Sequence, residues 1–140
     1  MERLTAKATL NPFGEVTIEA VDGDPNWRLH LYIFASGDLR YNPGHAALTK
    51  NDALYVIDAL WDAWEGVEDP SNFNPVAMRE RTFGTFGGLT VTGRYYPQGH
   101  FTVQFSARSS TMTHSRVVGN VETVINQLSA IIEMGDRMVA

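Results

Sequence analysis

The chain has 140 residues, no cysteine and a formal charge of −5, a size at which one domain can bury a core without a covalent staple. Lack of cysteine excludes disulfides, thiolate metal sites and a cysteine nucleophile, and it favours a reducing, cytoplasmic setting. Charge is uneven: residues 1–72 hold 5 Lys/Arg against 12 Asp/Glu, and residues 73–140 hold 6 against 4. That balance argues against nucleic acid as a partner and for a protein with a basic surface.

Leu4, Ala6, Ala8 and Leu10 alternate with polar residues, the period of a half-buried strand. Asn11-Pro12-Phe13-Gly14 supplies turn chemistry, and Val16, Ile18 and Ala20 then define a second strand, so a hairpin is expected. Trp27, Leu29, Leu31 and Ile33 mark a third strand, with Arg28, His30 and Tyr32 on its polar side. The segment Ser36 to Ala47, punctuated by Gly37, Pro43 and Gly44, reads as a loop.

Thr49 and Asp52 form a capping-box pattern that opens the clearest helix. Ala53, Val56, Ile57, Leu60 and Trp64 share one stripe, flanked by Leu54 and Trp61, and Gly66 is placed to end it. Residues 67–75 form an irregular connection, with a short helical turn expected at Pro75 to Glu80. Strands follow at Thr82 to Phe86, at Leu89 to Tyr95 and at Phe101 to Arg108, the last two joined by the turn Tyr96-Pro97-Gln98-Gly99. A less regular strand is expected within Thr111 to Val118. Asn120 then caps a final helix whose apolar face carries Val121, Val124, Ile125, Leu128, Ile131 and Ile132. Gly135 either ends that helix or is tolerated within it. No stretch approaches the ~18 apolar residues of a membrane span, and the amino terminus lacks the pattern of an export signal.

Pro12-x-Gly14-x-Val16-Thr17-Ile18-Glu19 is echoed by Pro97-x-Gly99-x-Phe101-Thr102-Val103-Gln104, which suggests two β-β-β-α halves. The expected architecture is a single α+β domain over residues 1–140. In it, a mainly antiparallel sheet of five to seven strands carries both amphipathic helices on one face.

Chemistry-bearing patterns are sparse. His30, His45, His100 and His114 show no metal spacing such as H-x-H or H-E-x-x-H, so no metal or cofactor is implied. Ser109, Ser110 and Ser115 lie near His114 without a nucleophile elbow, and the glycines from Gly84 to Gly88 lack the Lys and helix of a phosphate cradle. No catalytic set emerges. Arg79, Arg81, Arg94, Arg108 and Arg116 are spread as ordinary surface cations rather than gathered as a nucleic-acid platform.

Asp58, Asp62 and Glu65 fall on the outer face of the first helix and are continued by Glu68 and Asp69, with no lysine between them. This set is the candidate partner-binding patch. The alternative is a small-molecule pocket between sheet and helices, or under the Ser36 to Ala47 loop, with Trp27, Tyr41, His45 and Trp61 nearby. A homodimer through the polar sheet face is a third option.

Leu60-Trp61-Asp62-Ala63-Trp64-Glu65-Gly66, followed by Gly88-Leu89-Thr90-Val91-Thr92 and Gly99-His100-Phe101-Thr102-Val103, resembles the core of a family of small bacterial proteins of unknown function. That family carries a W-x-G-W-x-G helix end and a G-H-V-x-L strand in similar order. Ala63 stands where the family has Gly, and Asp62 where it has Arg. The resemblance covers the middle third of the chain and implies no activity. In type it is similar to immunity proteins that neutralise toxins. Trp61 and Trp64 are expected in the core.

Overall fold

The computed structural model describes residues 2–34 and 42–140. Strands β1 (Arg3–Leu10), β2 (Gly14–Val21), β3 (Trp27–Ile33) and β4 (Gly44–Thr49) form an antiparallel meander, followed by helix α1 (Lys50–Glu65). Strands β5 (Arg79–Phe86), β6 (Leu89–Tyr95), β7 (Phe101–Arg108) and β8 (Thr113–Val118) form a second one, followed by helix α2 (Val121–Met138). The α+β class and the antiparallel pairing are as expected. The single sheet of five to seven strands is corrected to two sheets of four.

Part of the difference lies in the segment read as a loop, because its end, from Gly44, is β4. His45 and Ala47 face outward there while Ala46 and Leu48 are buried, the alternation of a strand lining a core. Only glycine fits at position 44: an added Cβ would strike the backbone carbonyl of Ala107 on β7, where the two sheets meet. A second tie between the sheets is the Ala47 N–H, which donates to the Gly87 carbonyl in the β5–β6 turn at 3.0 Å.

Each half therefore reads β-β-β-β-α rather than β-β-β-α. The sequence echo is out of register with that order, since Pro12–Gly14 joins β1 to β2 whereas Pro97–Gly99 joins β6 to β7. The two turns also differ, since the Phe13 N–H donates to the Leu10 carbonyl with Pro12 third in the turn, whereas the Gly99 N–H donates to the Tyr96 carbonyl with Pro97 second.

Both helices meet the first sheet, as expected, and share β3. Helix α2 packs on β1, β2 and β3 of the first sheet, while α1 runs across from β3 and β4 to β5 and β6 of the second and touches α2. Thr49 and Asp52 form the expected capping box, with both reciprocal bonds made, so α1 starts directly where β4 ends. The buried face of α1 is Ala53, Val56, Ala59, Leu60 and Ala63, rotated toward alanines that allow close approach. All these faces join in one core cluster.

At the end of α1, Gly66 adopts a right-handed conformation, and the chain continues through 3-10 turns at Gly66–Glu68 and Pro70–Asn72 instead of the turn expected at Pro75 to Glu80. The buried Tyr95 hydroxyl donates to the Ala63 carbonyl at 3.0 Å, and Asn72 Nδ2 donates to the Gly66 carbonyl at 2.8 Å. Orphaned carbonyls of the helix end are thereby satisfied from β6 and from the connection.

Helix α2 runs through Gly135 without interruption because the buried Trp27 ring lies against its backbone there, occupying the place of a Cβ. Alanine at position 135 would gain about 1 kcal/mol of helix propensity but would force the indole away, an overpacking cost of about 1–3 kcal/mol. Gly135→Ala should therefore lower the thermal midpoint; a rise would show that the Trp27 contact is loose.

Candidate functional site

Among the described residues, two surfaces gather chemistry-bearing side chains. The first is the outer face of α1. Leu54, Asp58, Trp61 and Glu65 fall in line along the helix, with Tyr55 and Asp62 on one side and Trp64 on the other. Trp61 is 43% exposed and Trp64 50%, which corrects the expectation that they are core. The alanines took the inner positions, and the indoles lie outside the stripe they allow. Trp64 meets Phe101 edge-on at 6.3 Å and borders a shallow groove formed with Val117 and the start of α2.

Asp58, Asp62, Glu65 and Glu68 are exposed, and among the described residues none is in an ion pair. Asp69 plays a different part. It caps the second 3-10 turn through Ser71, whose backbone N–H and hydroxyl hold its carboxyl below the ordinary value. Asp58, Asp62 and Glu65 share one side of α1, and the last turn of α1 contains no basic residue.

The second surface is the solvent face of the first sheet. His30 on β3 and His45 on β4 lie on adjacent strands, in a register that pairs Tyr32 with His45 and His30 with Ala47. The imidazoles are therefore diagonal neighbours, with His30 Nδ1 2.9 Å from His45 Nε2. Glu19 Oε2 on β2 lies 3.8 Å from the other nitrogen of His30, and Arg3 lies 3.4 Å from the second oxygen of Glu19. Tyr32 stacks on His45. Partial burial, and then the charge of His30, hold the His45 pKa below the usual histidine value. Spacing along the chain could not reveal this row. Only the strand register brings residues 30 and 45 together.

The residues of the small-molecule alternative are spread out. Trp27 points inward from β3, His45 outward from β4, and Trp61 stands on the outside of α1; Tyr41 lies outside the described residues. Trp27 does border a cleft of about 500 Å³ with Glu19, Asp24, Arg28 and Lys50, within the size range of small-molecule sites. At its side, Trp27 Nε1 and Lys50 Nζ both donate to Asp136 of α2, at 3.0 and 2.9 Å. His114, by contrast, is buried on β8, with no partner for either nitrogen among the described residues.

Among the described residues no cluster of three or more potential metal ligands occurs, and no helix is long and apolar enough to cross a membrane. No protein-family model, curated protein or solved structure matches the chain.

The bonds from Trp27 and then Lys50 hold the Asp136 carboxyl below its ordinary value. A carboxyl depressed in the fold contributes stability above its unfolded pKa of about 3.8 and loses it as pH falls through the lower folded value. Asp136→Asn should therefore melt below the parent at pH 7, with the gap closing as pH falls below 4. A gap independent of pH would contradict the assignment.

Proposed function

We propose that the protein is a non-enzymatic binding module that presents the outer face of α1 to a protein partner with a basic surface. The observation that carries this reading is the placement of exposed carboxylates and indoles at the end of α1. Asp62 and Glu65 occupy its last turn, with no compensating cation. The helix dipole makes that end electronegative, so carboxylates there do not favour the helix. Trp61 and Trp64, about half exposed, stand among these charges, and tryptophan is enriched among the residues that dominate binding energy at protein interfaces.

A basic partner would gain from both features. Exposed carboxylates speed encounter with a cationic surface and penalise acidic competitors, while the indoles supply the apolar area that holds the complex. Asp58, Asp62, Glu65 and Glu68 form the charged part of the proposed contact, and Asp69 adds to its field while serving its own turn. In the sharpest form of the proposal the module is an immunity or antitoxin-type inhibitor that covers a basic functional surface. The sequence resemblance motivates that form.

A second reading, a small-molecule site, rests on the cleft beside Trp27. It predicts a saturable change in Trp27 fluorescence with one compound of a metabolite panel.

The main reading makes a double prediction for the variant carrying Asp58→Lys, Asp62→Lys and Glu65→Lys. Its thermal midpoint should hold or rise, because cations now occupy the helix carboxyl end. Its capture of a basic protein from a lysate of the source organism should be lost. Trp61→Ala with Trp64→Ala should weaken the same capture by about 2 kcal/mol or more, roughly 30-fold. Undiminished capture by the charge-reversed variant would sink the assignment.

A further inference from the structure

The row on the solvent face of the first sheet has a chemistry that the binding-module reading does not use. We propose that His30 and His45 chelate a late first-row divalent transition metal, copper(II) above all, through His30 Nδ1 and His45 Nε2, with Glu19 as the outer partner of His30.

Three features support this. The first is separation. His30 Nδ1 and His45 Nε2 stand 2.9 Å apart, close enough that small turns of the two rings bring both within about 2.0–2.1 Å of a common ion.

The second is the outer shell. A metal-bound imidazole commonly donates its remaining N–H to a carboxylate, which fixes the tautomer and makes the bound nitrogen more basic. Glu19 Oε2 stands 3.8 Å from His30 Nε2. That is the nitrogen left over once Nδ1 takes the metal. Arg3 steadies Glu19 from its other oxygen.

The third is support and access. Both histidines rise from paired strands in fixed register, which holds their Cβ atoms in place, while the rings reach solvent. The imidazoles now share a hydrogen bond, so chelation requires that the neutral ring donating it give up that proton to solvent and take one on its other nitrogen, and that each ring turn until both lone pairs converge. The terminal torsion of histidine is broad enough to allow that turn. Among the described residues no third protein ligand completes the set, so water would fill the other positions. Imidazole nitrogen together with water oxygen suits copper(II), which also stands at the top of the affinity order for divalent ions.

Titration of the full chain with Cu²⁺ alone, followed by calorimetry and by visible absorption, tests the site. One ion per chain should bind with nitrogen ligation, and Ni²⁺ should bind more weakly. Glu19→Gln should lower the Cu²⁺ affinity about tenfold, the low end of what loss of an outer partner costs. His30→Ala and His45→Ala should each lower it by more than about 100-fold, and His100→Ala should leave it unchanged. All three histidine positions are at least partly exposed, and an unchanged melting curve would confirm that each variant folds. Parental Cu²⁺ affinity in either His30→Ala or His45→Ala would overturn the proposal, as would loss of affinity in His100→Ala alone.

Discussion

Each helix is attached in sequence to one sheet and reaches the sheet of the other half, and the rest of the structure depends on this crossing. It begins at Thr49, where β4 ends and the capping box turns the chain into α1 with no intervening linker. From there α1 packs on β3 and β4 and runs across to β5 and β6. The rest of the inner face of the first sheet is covered by α2, which returns from the far end of the chain and is anchored at Trp27 and Lys50 through Asp136. Neither half has its full hydrophobic cover without the other. The single core cluster is the result.

This constraint also decides which surfaces remain free. The apolar faces of both sheets and both helices are used in packing, so ligands and partners must address what lies outside. Among the described residues, two outer surfaces carry more than ordinary polar side chains: the face of α1 with its indoles and its carboxylates outside any ion pair, and the diagonal row of Glu19, His30 and His45. On α1 the arrangement does not favour the helix, with acids at its electronegative end.

Much of the fold was legible in the sequence because it rests on local chemistry. Alternation in β1 to β3, β6 and β7, the capping box at Thr49 and the Asn120 cap all report backbone states that neighbouring residues dictate. What stayed hidden depends on the other half of the chain. Hydrophobic periodicity marks a buried face without saying which sheet buries it, so one sheet was expected where there are two. Trp61 and Trp64 weigh heavily in an apolar stripe, yet the close crossing of α1 selects Ala59 and Ala63 for the inside and leaves the indoles out. Local pattern leaves open whether Gly135 ends the helix or sits within it, because its partner, the Trp27 ring, is more than a hundred residues away. The histidine row was hidden for a similar reason: residues 30 and 45 meet only through the β3–β4 register. The acidic set on α1, by contrast, could be read directly, since helical spacing alone places Asp58, Asp62 and Glu65 together.

The interdependence of the halves is open to a direct test. The exposed connection between α1 and β5 allows the chain to be expressed as two fragments, residues 1–74 and 75–140. The crossing of the helices predicts that neither fragment alone shows a cooperative unfolding transition, and that mixing them restores the near-ultraviolet dichroism and a single transition. A fragment that folds cooperatively by itself would contradict it.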